Sequence, residues 1–294
     1  MPTLRQQARR LALLLLAKIL RALLLAIARF IAPGLGLDSP YCSFIAKKTK
    51  FTVIDVGYRL APEHPFPCAL EDLVTVVHWV RSQPELYDLN RLWLGGFSSG
   101  GNIAVSVAVN YLDKGIVRGI VGLYPVVDGE LEAMRGDEDV REGTSEGEAQ
   151  GVRRKQRGRP EHGGLGTVPR FLMRFVRACY LVDSPFGTST LAEPGSESGG
   201  GNILRDLRVS PIYADADRFP ARCLFVTAEH DSLSTSVDQL AEKIRREGTI
   251  EDGEERRVVV HRVSGCGHAF DKGVKEGSER EKIKDEVYGV VAAF

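Results

Sequence analysis

Residues 91–111, RLWLGGFSSGGNIAVSVAVNY, decide the fold of this chain. A short apolar strand is predicted before the pentapeptide GFSSG, and a helix of small and apolar residues is predicted after it. The pentapeptide fits the pattern G-x-S-x-G, in which a sharp turn between a strand and a helix exposes the hydroxyl of a serine. Because glycines let the backbones of such a turn approach closely, the pattern predicts that Ser98 is a nucleophile.

Strand and helix patterns alternate on both sides of this turn. Upstream, FTVIDVGYRL (residues 51–60) is a β-branched run that predicts a buried strand, and apolar residues at helical spacing predict a helix over residues 69–81. Downstream, the same patterns predict strands over 118–124, 222–228 and 256–263, and helices over 236–247 and at the end of the chain. This succession predicts an α/β fold with a mostly parallel, doubly wound sheet.

The alternation breaks after the strand predicted at 118–124. Residues 128–167 are rich in Gly, Glu and Arg and carry charge runs that do not pack into a core. Residues 168–181 have apolar side chains on one helical face and predict a small helical cap. We therefore expect one main domain over residues 33–294, interrupted by a cap and a disordered insertion at about 129–205.

The first 32 residues differ from the rest of the chain, because they carry cations and no acidic residue: Arg5, Arg9, Arg10, Lys18, Arg21 and Arg29. Residues 11–32 are long enough to span a bilayer, but three of these cations interrupt them and fall on one helical stripe. This pattern predicts a basic amphipathic helix over residues 1–32, acting either as an anchor on an anionic membrane surface or as a lid over the active site. No small-residue cleavage site precedes Pro33, so we expect a cytoplasmic or membrane-associated protein, for example at the endoplasmic-reticulum surface, rather than a secreted one.

Composition argues against several kinds of partner. Lys and Arg number 39 and balance 39 Asp and Glu, so no global field attracts nucleic acid. The five cysteines are widely spaced and form no CxxC pair, which predicts neither a zinc site nor a disulfide scaffold. We interpret them as small core residues and expect no metal and no cofactor. The sequence indicates no particular oligomeric state.

A serine nucleophile needs a base, and the base needs an orienting carboxylate. Asp231 follows a predicted strand, and His268 lies in a glycine-rich loop after the next one, so these two residues are the predicted acid and base. His230 is an alternative base, but it shares a turn with Asp231 and is poorly placed to be oriented by it. Glu229 is an alternative acid, two positions earlier on the same loop.

Five stretches carry a family resemblance: DVGYRLAPEHPFPCALEDL (55–73), GGFSSGGN (95–102), VSPIYADADRFP (209–220), LFVTAEHDSL (224–233) and GCGHAFD (265–271). They resemble the hormone-sensitive-lipase-like branch of the α/β hydrolases (fold-3), which includes arylacetamide deacetylases and many carboxylesterases. The order nucleophile, acid, base along the chain is also that of α/β hydrolases. The resemblance implies a cofactor-free esterase with a helical cap that cleaves acyl esters of short to medium chain.

The chain departs from this family near the predicted nucleophile. The family places an HGGG loop before the YRLAPE strand, where glycine N–H groups help to hold the oxyanion, and this chain contains no HGGG string. Gly34 and Gly36 are candidates for a remnant of that loop, and the backbone N–H of Ser99 is a further candidate donor. Phe97 replaces the acidic residue that usually precedes the nucleophile.

Three functions follow from these observations. The first is a serine hydrolase that cleaves small-molecule carboxylic esters through an acyl-enzyme on Ser98. The second is a catalytically impaired or truncated pseudoenzyme, which the missing HGGG favours. The third is a protein that binds a small ligand on the hydrolase fold, as plant gibberellin receptors do. The presence of His268 argues against the third, because receptors of that kind typically lack the catalytic histidine.

Overall fold

A computed structural model describes residues 36–61, 63–129, 160–164, 177, 180–181, 203–248 and 256–294. The predicted N-terminal helix (1–32) lies outside these residues, as do Gly34 and most of the insertion and cap predicted at about 129–205. The anchor, the lid and the domain boundaries therefore stay predictions. Within the described ranges, no helix is long and apolar enough to cross a membrane.

The described part of the chain contains five α-helices and four strands: α1 (Ser39–Lys48), α2 (Cys68–Arg81), β1 (Trp93–Phe97), α3 (Ser99–Asn110), β2 (Gly119–Leu123), β3 (Arg222–Ala228), α4 (Ser234–Glu247), β4 (Arg257–Val263) and α5 (Glu279–Ala293). Their order confirms the predicted alternation of strands and helices from residue 68 onward.

The four strands form one parallel sheet in the order β1-β2-β3-β4. Gly96 of β1 lies opposite Gly122 of β2, and Leu123 lies opposite Val226 of β3. Because the strands are parallel, their carboxyl ends meet at the same edge of the sheet, which is where α/β folds place their ligands. The loops that follow β1, β3 and β4 therefore converge there.

Helices cover both faces of this sheet, as the sequence predicts for a doubly wound fold. Side chains of α2, α3 and α4 pack in one buried cluster, and those of α1 and α5 pack in a second. Neighbouring residues of β3 point alternately into the two clusters: Cys223 and Phe225 belong to the first, Leu224 and Val226 to the second. The strand is buried on both sides, which explains its continuous apolar sequence.

One predicted strand is wrong. Residues 51–60 belong to no strand, and several of their side chains are exposed, among them Ile54 and Leu60. A strand needs a neighbour for its backbone groups, and residues 51–60 pair with none of the four described strands. The segment is tied to helix α2 instead, because the Arg59 backbone N–H and guanidinium Nε donate to the Asp72 carboxylate at 2.8 and 2.9 Å.

The cysteines are free thiols in the described part of the chain. Cys223 and Cys266 are buried, which confirms them as core residues, whereas Cys42 and Cys68 are only partly buried. Cys179 lies outside the described residues.

Candidate active site

Ser98 occupies the turn between β1 and α3 in a backbone conformation that side chains rarely adopt, with φ 50° and ψ −114°. Three hydrogen bonds fix this turn. The Ser98 N–H donates to Leu123 O at the end of β2, and Ser98 O accepts from the N–H groups of Asn102 at 3.0 Å and Val126 at 3.4 Å. The predicted nucleophile is therefore held at the carboxyl edge of the sheet by two neighbouring segments.

Two of the glycines around Ser98, Gly96 and Gly101, are required by close contacts. A Cβ atom on Gly96 would lie 2.5 Å from the carbonyl carbon and oxygen of Gly100. A Cβ atom on Gly101 would lie 2.9 Å from Cβ of Pro125. By contrast, no described atom lies within 4 Å of a Cβ built on Gly100. The turn therefore requires glycine at positions 96 and 101, whereas position 100 has room for a side chain.

We expect Gly96→Ala to destabilise the protein by on the order of 3 kcal/mol, because backbone atoms must shift to accommodate the methyl group. Gly100→Ala is the matched control, since the same methyl enters open space in the first turn of α3 and alanine favours a helix by about 0.5–1 kcal/mol. Urea unfolding followed by circular dichroism measures both free energies of unfolding. Equal stabilities of the two variants would contradict the tight turn.

Asp231 and His268 come together beside Ser98. Asp231 follows β3 and is 2% exposed, and His268 follows β4 and is 8% exposed. His268 Nδ1 lies 2.7 Å from Asp231 Oδ2, and His268 Nε2 lies 3.0 Å from Ser98 Oγ. With a proton on Nδ1 donated to the carboxylate, Nε2 is free to accept the proton of the serine hydroxyl.

The other carboxylate oxygen of Asp231 is also engaged. Asp231 Oδ1 accepts from the Leu233 N–H at 3.0 Å, and Asp231 O accepts from the Ser234 hydroxyl at 2.8 Å. These bonds fix the acid on its loop, so that the remaining oxygen is aimed at His268. A buried carboxylate held in this way orients the imidazole and stabilises its protonated form.

The alternative acid and base take other positions. Glu229 Oε2 accepts from the Gly265 N–H at 2.9 Å and so ties the turn that precedes His268. The His230 N–H donates to Cys266 O, while its buried Nδ1 has no hydrogen-bond partner among the described residues. The structure thus pairs His268 with Asp231, as the sequence predicts, and gives Glu229 and His230 contacts to the neighbouring loop.

The candidate oxyanion donors are only partly within the described residues. Ser99 is the first residue of α3, and the first bond inside the helix runs from the Asn102 N–H to Ser98 O, so the helix supplies no acceptor to the Ser99 N–H. Gly36 lies in the turn before α1, with φ +94°, and its carbonyl accepts from the Ser39 N–H at 3.0 Å. The assignment of Gly36 to the oxyanion hole stays a prediction, and Gly34 lies outside the described residues.

Sequence reasoning missed one segment that packs on the histidine loop. The His162 N–H donates to Gly265 O, and Gly163 O accepts from the Gly267 N–H, both at 2.9 Å. A Cβ atom on Gly164 would lie 2.6 Å from Gly267 O. These residues fall within the stretch interpreted as a disordered insertion, whose only local signal is the glycine pair itself.

Comparison with known proteins supports the same fold. A family model described as an alpha/beta hydrolase fold matches residues 28–154. A gibberellin receptor of Oryza sativa subsp. japonica is 46% identical over 79 residues, which cover 26% of this chain and 22% of the receptor. The versiconal hemiacetal acetate esterase of Emericella nidulans is 41% identical over 85 residues, covering 28% of this chain and 29% of the esterase. The chain thus matches less than a third of the length of either relative.

Solved structures match over more of the chain. The carboxylesterase EstE1 from a metagenomic library has a TM-score of 0.60 and 25% identity, covering 88% of this chain and 74% of that one. An esterase of Pyrobaculum calidifontis has a TM-score of 0.58 and 23% identity, covering 87% and 69%. The predicted resemblance is therefore confirmed: the chain has the α/β-hydrolase fold, and its residues 28–154 match that family's model.

Proposed function

We propose that the chain is a serine hydrolase that cleaves small carboxylic esters through an acyl-enzyme on Ser98. One observation carries the proposal. The Ser98 hydroxyl, the His268 imidazole and the Asp231 carboxylate form a continuous hydrogen-bonded chain with heavy-atom distances of 3.0 and 2.7 Å. Both distances, from the nucleophile to its base and from the base to its orienting acid, lie within hydrogen-bond reach, as nucleophilic catalysis by a serine requires.

The chemistry proceeds in two halves. His268 Nε2 takes the proton of Ser98 Oγ as the oxygen attacks the ester carbonyl, and then gives that proton to the departing alcohol. The acyl group stays on Ser98 until a water molecule, deprotonated by the same nitrogen, attacks it and releases the acid. Asp231 stabilises the imidazolium that forms in each half. No cofactor takes part in these steps.

The tetrahedral intermediate needs hydrogen-bond donors for its oxygen. The Ser99 N–H, at the amino end of α3, is the described donor nearest to the nucleophile along the chain, and helix ends of this kind favour negative charge. Gly34 and Gly36 are the further candidates. Loss of one such donor costs roughly a hundred- to a thousandfold in turnover, so the number of donors decides how fast this chain works.

The substrate class follows from the relatives rather than from a described pocket. An esterase and a carboxylesterase are among the proteins that this chain is similar to. Together with the family motifs, they favour small uncharged esters with acyl chains of short to medium length. We also propose that residues 11–32 contact a membrane surface, because their sequence has the pattern of a basic amphipathic helix.

A second candidate is a protein that binds a small ligand without hydrolysing it. It is favoured by the 46% identity of the matched stretch to a gibberellin receptor. The hydrogen-bonded His268 favours hydrolysis instead, because a binding protein has no use for a base at this position. A catalytically impaired hydrolase is the related alternative, since this chain contains no HGGG string.

Covalent labelling tests the proposal directly. We expect a fluorophosphonate probe to add to the folded protein in a 1:1 ratio, seen by intact mass, with the modified peptide containing Ser98. The same protein is then expected to release a burst of p-nitrophenol from p-nitrophenyl butyrate. A folded protein that takes no label would move the conclusion to the binding protein or the impaired hydrolase.

A further inference from the structure

A second buried carboxylate lies three residues after His268. The side chain of Asp271 has no exposed surface and receives three donors. The Tyr124 hydroxyl donates to its Oδ1, the Tyr288 hydroxyl donates to its Oδ2 at 2.8 Å, and Lys272 Nζ lies 3.1 Å from Oδ2. A buried carboxylate is stabilised by donors of this kind, and Lys272 Nζ also contacts the Asp38 carboxylate.

Tyr124 connects this carboxylate to the candidate active site. It follows β2 directly, is 1% exposed and has a positive φ of 41°. Its ring centroid lies 4.7 Å from that of the His268 imidazole, with an angle of 61° between the planes. Its N–H donates to Val226 O of the neighbouring strand. The backbone and the hydroxyl of Tyr124 are therefore both fixed, and the ring between them packs against the His268 imidazole.

Tyr288 donates a similar hydrogen bond to the other carboxylate oxygen of Asp271. It belongs to α5, and its ring packs against Tyr41 and Phe44 of α1, with centroids 5.0 and 5.8 Å apart. No ring contact between Tyr288 and His268 is found among the described residues. The two tyrosines thus share one acceptor, but only Tyr124 touches the base.

The hydroxyl of Tyr124 stays a donor at every pH used for an esterase assay. Burial raises the pKa of Tyr124 well above its usual value, and the nearby Asp271 carboxylate raises it further. The same two causes raise the pKa of Tyr288. Both phenols therefore keep their protons and hold the carboxylate under the same conditions.

We propose that Asp271 is a positioning residue, which fixes Tyr124 so that the ring of Tyr124 sets the orientation of the His268 imidazole. The imidazole must keep Nδ1 on Asp231 and Nε2 on Ser98 at once, and Asp231 alone leaves its ring free to tilt about that bond. The contact with Tyr124 removes this freedom. The expected effect on catalysis rests on the proposed esterase function.

Two phenylalanine substitutions separate positioning from simple stability. Tyr124→Phe and Tyr288→Phe each remove one hydroxyl from the same carboxylate, so both are expected to lower the midpoint of thermal unfolding. Only Tyr124→Phe is expected to lower kcat for p-nitrophenyl butyrate, by roughly ten- to a hundredfold with little change in KM. Without its hydroxyl, the ring that packs against His268 is no longer held by Asp271. Equal losses of kcat in the two variants would reduce Asp271 to a structural role.

Substitution of the carboxylate itself gives a second comparison. Asp271→Asn keeps an oxygen that can accept from Tyr124, whereas Asp271→Ala leaves no acceptor. We expect the asparagine variant to retain most of the kcat that the alanine variant loses. We also expect Asp271→Ala and Tyr124→Phe to be non-additive in kcat when combined, since both act through the same contact.

The imidazole proton provides a readout that does not need activity. The His268 Nδ1–H, assigned by its absence in His268→Ala, is followed by proton NMR in the full chain. We expect its resonance to shift or broaden in Tyr124→Phe and to stay in place in Tyr288→Phe. An unmoved resonance in both variants overturns the inference even if the wild-type protein is an esterase, and a selective shift supports it even if the esterase proposal fails.

Discussion

Ser98→Ala is expected to remove the acyl-enzyme route of ester hydrolysis, with kcat for p-nitrophenyl butyrate falling roughly a millionfold. The reason is that the methyl group can neither attack the carbonyl nor carry an acyl group, and His268 Nε2 then faces no hydroxyl at 3.0 Å. Pre-steady-state release of p-nitrophenol measures this loss, because the burst disappears together with the turnover.

The matched control is Ser106→Ala in α3, the helix that follows Ser98. The Ser106 hydroxyl is fully buried and has no hydrogen-bond partner among the described residues, so its removal leaves no group unsatisfied. We expect this variant to keep the activity and the fold of the wild type. If Ser98→Ala retained the activity of the control, the nucleophile would have to be another residue, and the proposed mechanism would fall.

The part of the site that the sequence predicts well is local. The turn at Ser98 can be read from the sequence because its geometry depends on residues next to one another: an apolar strand, a glycine at position 96 where a Cβ would meet Gly100, and a helix of small residues. The placement of Asp231 and His268 beside Ser98 can be predicted in the same way, since each follows the end of a parallel strand and all such ends meet at one edge.

The strand predicted over residues 51–60 shows where this reasoning ends. Its β-branched composition is right for a strand, but strand formation is a property of a pair, and this segment pairs with none of the four described strands. Composition alone contains no information about the neighbour. Composition also does not predict the hydrogen bond from Arg59 to Asp72, because this bond joins a loop to a helical residue 13 positions away.

The second carboxylate was missed for a related reason. Asp271 follows a conspicuous histidine, yet its partners Tyr124 and Tyr288 are 147 and 17 residues away along the chain. A tyrosine after one strand and another within the last helix form no motif. Only the packed structure shows that both hydroxyls reach the same acceptor, so such support for a catalytic group is found from contacts rather than from patterns.

Asp231→Asn is expected to lower kcat about ten-thousandfold while leaving the fold intact. An asparagine amide in this place donates to Nδ1 and so favours the tautomer with its proton on Nε2, which then faces Ser98 Oγ as a donor instead of an acceptor. The base is lost although every atom stays near its position. Steady-state kinetics with p-nitrophenyl butyrate measures the loss, and unfolding in urea shows whether the fold is kept.

Glu229→Gln tests the competing acid two positions earlier. Glutamine can still accept from the Gly265 N–H, so the turn before His268 keeps its hydrogen bond while the charge disappears. If Asp231 is the orienting acid, this variant works within a few-fold of the wild type, since a glutamine oxygen still accepts from the Gly265 N–H while Asp231 keeps its bond to His268 Nδ1. A large loss in Glu229→Gln together with a small one in Asp231→Asn would reverse the assignment. The same kind of substitution, acid to amide, is therefore expected to cause a large loss of kcat at Asp231 and a small one at Glu229.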